Sequence, residues 1–285
     1  MPATVGVIYL RMNSEAERPV VRWPDGQRAT DVLAVEEPME IRLGTVPLAV
    51  LMRTPGLEAE LVTGFALTEG IVLAPDEVAG VEDLGDGDRY RLVPAEGVEI
   101  DPEQFRRNTY TTSSCGVCGK ASIDAVRITA RALPVGPHVA VAFIGALPAR
   151  LRAAQMVFDV TGGLHGAAIF EATGEMASVA EDVGRHNAVD KAIGALAQRR
   201  WPLGEVILVV SGRISFEITQ KAAVVGIPIV AGVSAATSLA ADLATDLGMT
   251  LCGFVRDDGL VVYHDPGRLI SPLEGGASSP GGGST

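Results

Sequence analysis

Cationic residues are scarce in this chain. Its 23 Lys and Arg stand against 35 Asp and Glu, a formal net charge of −12 over 285 residues. Nucleic-acid affinity rests on neutralising phosphates, so this balance speaks against a general DNA or RNA binder. It leaves room for one anionic small ligand, because a few local donors suffice inside an acidic protein. Aromatics are few, at 5%, so Ala, Val, Leu and Ile must fill the interior. There are three cysteines, Cys115, Cys118 and Cys252. An odd number without a secretory signal is no disulfide scaffold, and reduced thiols in the cytoplasm are expected. Long apolar runs are lacking too. Residues 222–241 carry no charge, but Gly226, Pro228, Gly232 and Ser234 interrupt them. They read as a helix end, a buried strand and a helix start, not as a membrane span.

What is present points to a real core. Hydrophobic residues make up 47% and charged ones 20%, enough for one large domain or two modest ones. Residues 1–29, with Pro19, Pro24 and Gly26, read as an irregular leader. Residues 30–107 read as a small α+β domain. It has strand patterns over 32–35, 39–43 and 46–52, a helix over 57–68, and a hairpin turning at Gly85-Asp86-Gly87-Asp88. Residues 108–120, NTYTTSSCGVCGK, read as a mobile loop. From 121 to 272 strands alternate with helices, as in an α/β layered domain. Helices are expected over 123–133, 145–158, 185–198, 216–225 and 238–247. Strands are expected over 167–170, 176–180, 206–210, 228–230, 250–255 and 260–263. Residues 273–285 are low-complexity and are expected to be disordered.

The sharpest local feature is Cys115-Gly116-Val117-Cys118. Such a pair serves as a redox dithiol, as half a metal site, or as a persulfide carrier. Tetrahedral zinc needs four ligands, and no second CxxC exists. Zinc deaminases pair H-x-E with P-C-x-x-C. Here no histidine has Glu two positions on, and Ser114 precedes the pair. Gly116 and Gly119 suit a bendable arm. Cys252 sits in an apolar strand pattern, as an inert buried thiol would.

Four further clusters invite ligands. Gly162, Gly163 and Gly166 surround His165, which suits close backbone approach or a tight turn. Glu181 and Asp182 precede Arg185 and His186 at a strand-to-helix passage, where helix N–H groups and a guanidinium attract anions. Either carboxylate is positioned in sequence to orient His186 or Arg185; a capped helix with a surface ion pair is the plain alternative. Ser211, Gly212 and Arg213 follow the apolar run 206–210, where α/β sheets bind ligands. Residues 232–238 follow another strand, with Ser238 placed to cap a helix. The turns at 163–166, 211–213 and 232–238 are expected to meet at one sheet edge.

Together these segments resemble the FdhD family of formate dehydrogenase accessory sulfurtransferases. The stretches are TTSSCGVCG, DVTGGLHGAA, EDVGRHNAVDKAIG, SGRISFEITQKAA, GIPIVAGVSAATSLA and GFVRDDGLVVYHDPGRL, in that order across roughly residues 30–270. The resemblance implies a cytidine-deaminase-like three-layer α/β domain without its zinc machinery. It implies sulfur transfer from a cysteine desulfurase to molybdenum bis(molybdopterin guanine dinucleotide), which is then inserted into formate dehydrogenase. It also implies a homodimer. Cys115 falls on the persulfide cysteine and Cys118 on its companion. Phe254, Val255, Arg256, Asp257, Asp258 and Gly259 fall on the nucleotide-contacting segment. Arg185, Arg213 and Arg256 are candidate pyrophosphate and guanine-nucleotide contacts by donor geometry, alongside Ser211, Gly212 and His165. Two rival functions are a cofactor chaperone with purely structural cysteines and a zinc-dependent hydrolase.

Overall fold

The apolar run 206–210 has the composition of a strand buried on both faces, and it forms the heart of the larger sheet as β10 (Val206–Val210). The computed structural model describes residues 14–102, Phe105 and residues 133–270. Cys115, Cys118, the expected loop over 108–120, all but the last residue of the expected helix over 123–133, and the tail over 273–285 lie outside the described residues.

Among the described residues the chain opens with β1 (Glu15–Arg22) and β2 (Gln27–Ala34). Next come β3 (Glu37–Leu43), β4 (Val46–Arg53), α1 (Glu58–Thr68), β5 (Val78–Asp83) and β6 (Arg89–Pro94). Then follow β7 (Val139–Ala140), α2 (Val141–Ala154), α3 (Met156–Thr161), β8 (His165–Glu171), β9 (Met176–Asp182) and α4 (Arg185–Ala197). After β10 come α5 (Phe216–Val224), β11 (Ile229–Gly232), α6 (Ser238–Leu247), β12 (Thr250–Arg256), β13 (Gly259–His264) and β14 (Leu269–Ile270).

The six-stranded sheet has the order β13-β12-β11-β10-β8-β9. β10, β11 and β12 are parallel, while β8 and β13 run against their neighbours. Side chains alternate across a strand, and β10 shows the result. Val206, Leu208 and Val210 join the core shared with α4, α5 and α6, while Ile207 and Val209 join the core under α2. Helices thus cover both faces, giving a three-layer α/β arrangement. Residues 222–241 divide among the end of α5, β11 and the start of α6. No helix among the described residues is long and apolar enough to cross a membrane.

The first four-stranded sheet, ordered β4-β3-β6-β5, does not stand apart. Met39, Ile41, Leu61 and Leu67 share one continuous core with Ile193, Leu208 and Leu251. α1 crosses α4 where glycine meets glycine. A Cβ on Gly64 would strike the Asp190 carbonyl, and one on Gly194 would strike the Glu60 carbonyl. Gly194→Ala is therefore expected to force the helices apart at a cost of about 3 kcal/mol or more, seen as a lower midpoint in chemical denaturation.

Several sequence expectations need correction. The leader is not irregular from Glu15 onward, because β1 and β2 pair antiparallel across the turn at Trp23 to Gly26. Both faces of this ribbon are largely exposed, so its sequence shows no apolar alternation. Pro19 is tolerated because a two-stranded ribbon is all edge. The single helix expected over 145–158 starts earlier and breaks at Gln155 into α2 and α3. The Gln155 side chain lies over Gly166, where any Cβ would meet its Cδ at 2.7 Å. Thr237, not Ser238, caps α6 by accepting from Ala240 N.

Candidate functional site at one edge of the central sheet

β9, β10, β11 and β12 run one way; β8 and β13 run the other. One edge of the sheet therefore collects four strand C-termini and two strand N-termini. It receives His165, Arg185, Ser211, Gly212, Arg213, Arg256 and Gly259 from four different stretches of chain. Open α/β sheets bind ligands at this kind of edge.

Backbone bonds lace the turns together. Gly166 N donates to Ser211 Oγ at 2.8 Å, and Ser211 N donates to Gly166 O at 2.9 Å. Val233 N reaches Val210 O, and Ile214 N reaches Ala235 O. Gly212 leaves room for His165, whose Nδ1 would lie 3.3 Å from an added Cβ. Arg213 is exposed.

The segment from Phe254 to Gly259 forms the far end of the edge. Phe254 N donates to Ser234 O at 3.1 Å, and Arg256 Nη1 donates to the carbonyls of Val233 and Val255 at 2.7 and 2.8 Å. The β12–β13 register shifts between Gly253 and Arg256. Phe254 takes φ 50° there, a conformation uncommon for a bulky residue. The bulge turns Phe254 outward at 48% exposure while Val255 is fully buried. Asp257 and Asp258 are exposed in the turn, and Gly259 pairs with Arg256.

Electrostatics differ along the edge. His165 is half-buried, and burial, reinforced by the neighbouring Arg185 and His186 side chains, lowers its pKa. Its imidazole is therefore neutral at neutral pH. Burial pushes Glu217 up, but the His186 imidazole and the Ser215 hydroxyl outweigh it and hold the carboxyl down at about 2. His186 Nε2 lies 3.8 Å from Glu217 Oε2.

That pairing corrects the sequence expectation for Glu181 and Asp182, since neither is turned toward Arg185 or His186. Asp182 points inward and is fully buried. It accepts from Thr54 N, Gly184 N and Asn187 Nδ2, and it pairs with the buried Lys191 ammonium at 2.7 Å. Glu181 accepts from Val157 N and Phe158 N at the start of α3. The carboxylate that meets His186 comes from α5. Ser215 and Glu217 belong to the stretch that begins at Ser211, but nothing in the sequence tied them to His186; the pattern Ser-Phe-Glu at the start of a helical run was the available signal.

Deeper in, Lys221 donates to Thr68 Oγ1, Glu69 Oε1 and Asp190 Oδ2. Burial opposes its charge, but the Asp190 and Glu69 carboxylates outweigh that and raise its pKa. Cys252 is fully buried, and burial, with the nearby Asp265 charge, pushes its thiol up to about 12. Among the described residues no group of three or more His, Cys, Asp or Glu could hold a metal.

A pH dependence follows from Glu217. Its folded pKa lies below the ordinary value of 4.5, so its stabilising contribution is complete above that value and fades as pH falls toward 2. Glu217→Gln is expected to lose stability relative to the parent at pH 7, with the gap closing near pH 2 to 3. Denaturant midpoints of both proteins across that range check this.

The chain matches the model of the FdhD/NarQ family over residues 34–270. It is 48% identical over 266 residues to a sulfur carrier protein FdhD of Streptomyces avermitilis, covering 88% of this chain and 94% of that one. It is 50% identical over 251 residues to the protein of that name from Mycolicibacterium paratuberculosis, covering 84% and 92%. With a sulfur carrier protein FdhD of Anaeromyxobacter dehalogenans the identity is 45% over 277 residues, covering 89% of this chain and 93% of that one. A crystal structure named for a formate dehydrogenase accessory protein of Desulfotalea psychrophila superposes with a TM-score of 0.69. That likeness covers 90% of this chain and 98% of the other at 22% identity, and it concerns the fold.

Proposed function

The chain belongs to the FdhD/NarQ family, and from that membership we propose that it is a sulfurtransferase that carries persulfide sulfur on Cys115. The donor is a cysteine desulfurase. The acceptor is molybdenum bis(molybdopterin guanine dinucleotide), bound as substrate and destined for formate dehydrogenase. The observation that carries this reading is the division among three cysteines. Cys252 is sealed in the core with its thiol pushed up to about 12. Thiolates, not thiols, exchange sulfur. That leaves Cys115 and Cys118 for the chemistry named in the relatives.

The transfer balances without an outside oxidant. The Cys115 thiolate attacks the outer sulfur of the donor persulfide, a new S–S bond forms at Cys115, and the donor leaves as a thiolate. Cys118 then takes the sulfur by the same exchange, or attacks the inner sulfur. The second route expels hydrosulfide and closes a Cys115–Cys118 disulfide.

The sheet edge is the proposed cofactor surface. Arg185, Arg213 and Arg256, with Ser211, Gly212 and His165, contact the pyrophosphates, and the segment from Phe254 to Gly259 receives the guanine nucleotide. Support comes from the convergence of these residues and from guanidinium geometry, which suits phosphate. The same reading takes the fold as deaminase-like without the zinc signature, the working unit as a homodimer and the compartment as the reducing cytoplasm.

The test is mass spectrometry after incubation with a cysteine desulfurase and cysteine. The peptide holding Cys115 and Cys118 is expected to gain one sulfur. Failure to gain it, or a gain confined to Cys252, overturns the reading.

A further inference from the structure

A pocket of about 60 Å³ lies where the leading part of the chain closes against the central sheet. Three consecutive residues of β9, Val179, Ala180 and Glu181, line it. Side chains alternate between the faces of a strand, so the pocket reaches round the edge of β9. That strand is the last of the six-stranded sheet, and no described strand pairs with its outer side. Ser14 and the turn from Thr54 to Leu57 close the pocket from the leading part, and Lys191 reaches it from α4.

Two of these side chains are almost wholly buried and keep hydrogen-bonding capacity in hand. Ser14 is 4% exposed, and its Oγ has no hydrogen-bond partner. Lys191 is 1% exposed. An ammonium carries three N–H donors, and here they reach Thr54 O and Asp182 Oδ2, which leaves one. Buried polar groups without a partner are few in native proteins, and each calls for a reason. Glu181 adds a carboxylate that accepts from Val157 N and Phe158 N and has lone pairs to spare. Burial, reinforced by the Asp159 carboxylate, outweighs those two bonds and raises its pKa. A cation placed beside Glu181 would therefore be welcome. Leu57, Val157, Leu164 and Val179 make the remaining wall apolar. Leu57 takes φ 61°, a left-handed conformation that is costly for a bulky residue and recurs at ligand sites.

We infer that this pocket binds a free α-amino acid with a short side chain, as its zwitterion. The ligand carboxylate takes the remaining Lys191 N–H and the Ser14 hydroxyl proton. The ligand ammonium meets Glu181, and a methyl-sized side chain rests on the apolar wall. Charge selects this class. A simple anion would face Glu181 and Asp182, and a simple cation would face Lys191, whereas a zwitterion presents each end to its opposite. Size selects the small members. At roughly 15 Å³ for each water-sized occupant, the pocket holds about four, the scale of glycine or alanine. The site does not depend on sulfur transfer.

Calorimetric titration of the full chain with L-alanine tests this. Saturable binding is expected. Acetate and methylamine, which each carry one of the two charges, are expected not to displace it at the same concentration, and L-phenylalanine is expected to be excluded by size. Ser14→Ala is expected to weaken binding about tenfold or more, the scale of one lost hydrogen bond to a charged group. The Ser14 hydroxyl has no protein partner, so the melting curve of this variant should match the parent and separate binding from folding. Glu181→Gln keeps an acceptor for the start of α3 but loses the charge, and a similar weakening is expected. Absence of saturation, or parental affinity in both variants, overturns the site. Displacement by acetate or methylamine alone overturns the zwitterion, and tight binding of L-phenylalanine overturns the size limit. Cys115→Ala should bind L-alanine as the parent does, so failure of the sulfur relay and failure of this pocket are told apart.

Discussion

Cys115→Ala is expected to take up no sulfur from a cysteine desulfurase and to leave formate dehydrogenase at background activity. The argument is chemical. Loading requires a thiolate to attack the donor's outer sulfur, and alanine has none. Cys252 offers no detour, because burial pushes its thiol up to about 12 and shields it fully. Cys118→Ala separates the two release routes. If hydrosulfide leaves by closure of the Cys115–Cys118 disulfide, this variant loads sulfur on Cys115 and holds it, and dehydrogenase activity falls with loading intact. A Cys115→Ala protein that still supports full dehydrogenase activity would mean that the chain only presents the cofactor and moves no sulfur.

Asp182→Ala is the second large effect, and here the loss is of stability. Asp182 is fully buried and accepts from three backbone or amide N–H groups in addition to the Lys191 ammonium. Lys191 is 1% exposed and donates its other bond to Thr54 O at 2.7 Å. Removing the carboxylate leaves that ammonium without its counter-ion in the core. Breaking one side of a buried pair costs about 3–5 kcal/mol. For a chain of this size that corresponds to a fall in melting temperature on the order of 10 °C. Thermal denaturation reads it directly. The double variant Asp182→Ala/Lys191→Met should recover part of the loss, since removing both charges costs less than orphaning one. A single variant that melts with the parent would show that the pair contributes nothing.

Much of this architecture was legible in the residues, for identifiable reasons. β10 is an unbroken apolar run because it is buried on both faces, and that signal needs no context. α6 was bounded correctly because Thr237 precedes it and Gly248 follows in the left-handed conformation. β1 and β2 were not legible, since they bury little and so show no period. The candidate edge was legible as separate turns, because glycine, serine and arginine after apolar strands mark strand ends. Its internal partnerships were not. Adjacency suggested that Asp182 would serve His186, but strand alternation buries Asp182, while α5 supplies Glu217 from 31 residues away. Lys191 and Lys221 are buried counter-ions, and the Thr54 carbonyl that Lys191 reaches and the Glu69 carboxylate that pairs with Lys221 lie far off in sequence.

The contact between Gly64 and Gly194 reaches beyond packing. Two backbones that touch admit no side chain between them, so each helix is the template for the other. The leading sheet is therefore no detachable cassette. A fragment begun at Val139 would bare the flank of α4, strip Lys191 of the Thr54 carbonyl and Lys221 of Thr68 and Glu69. A graft of this sheet from one relative onto another would have to carry the matching helix with it.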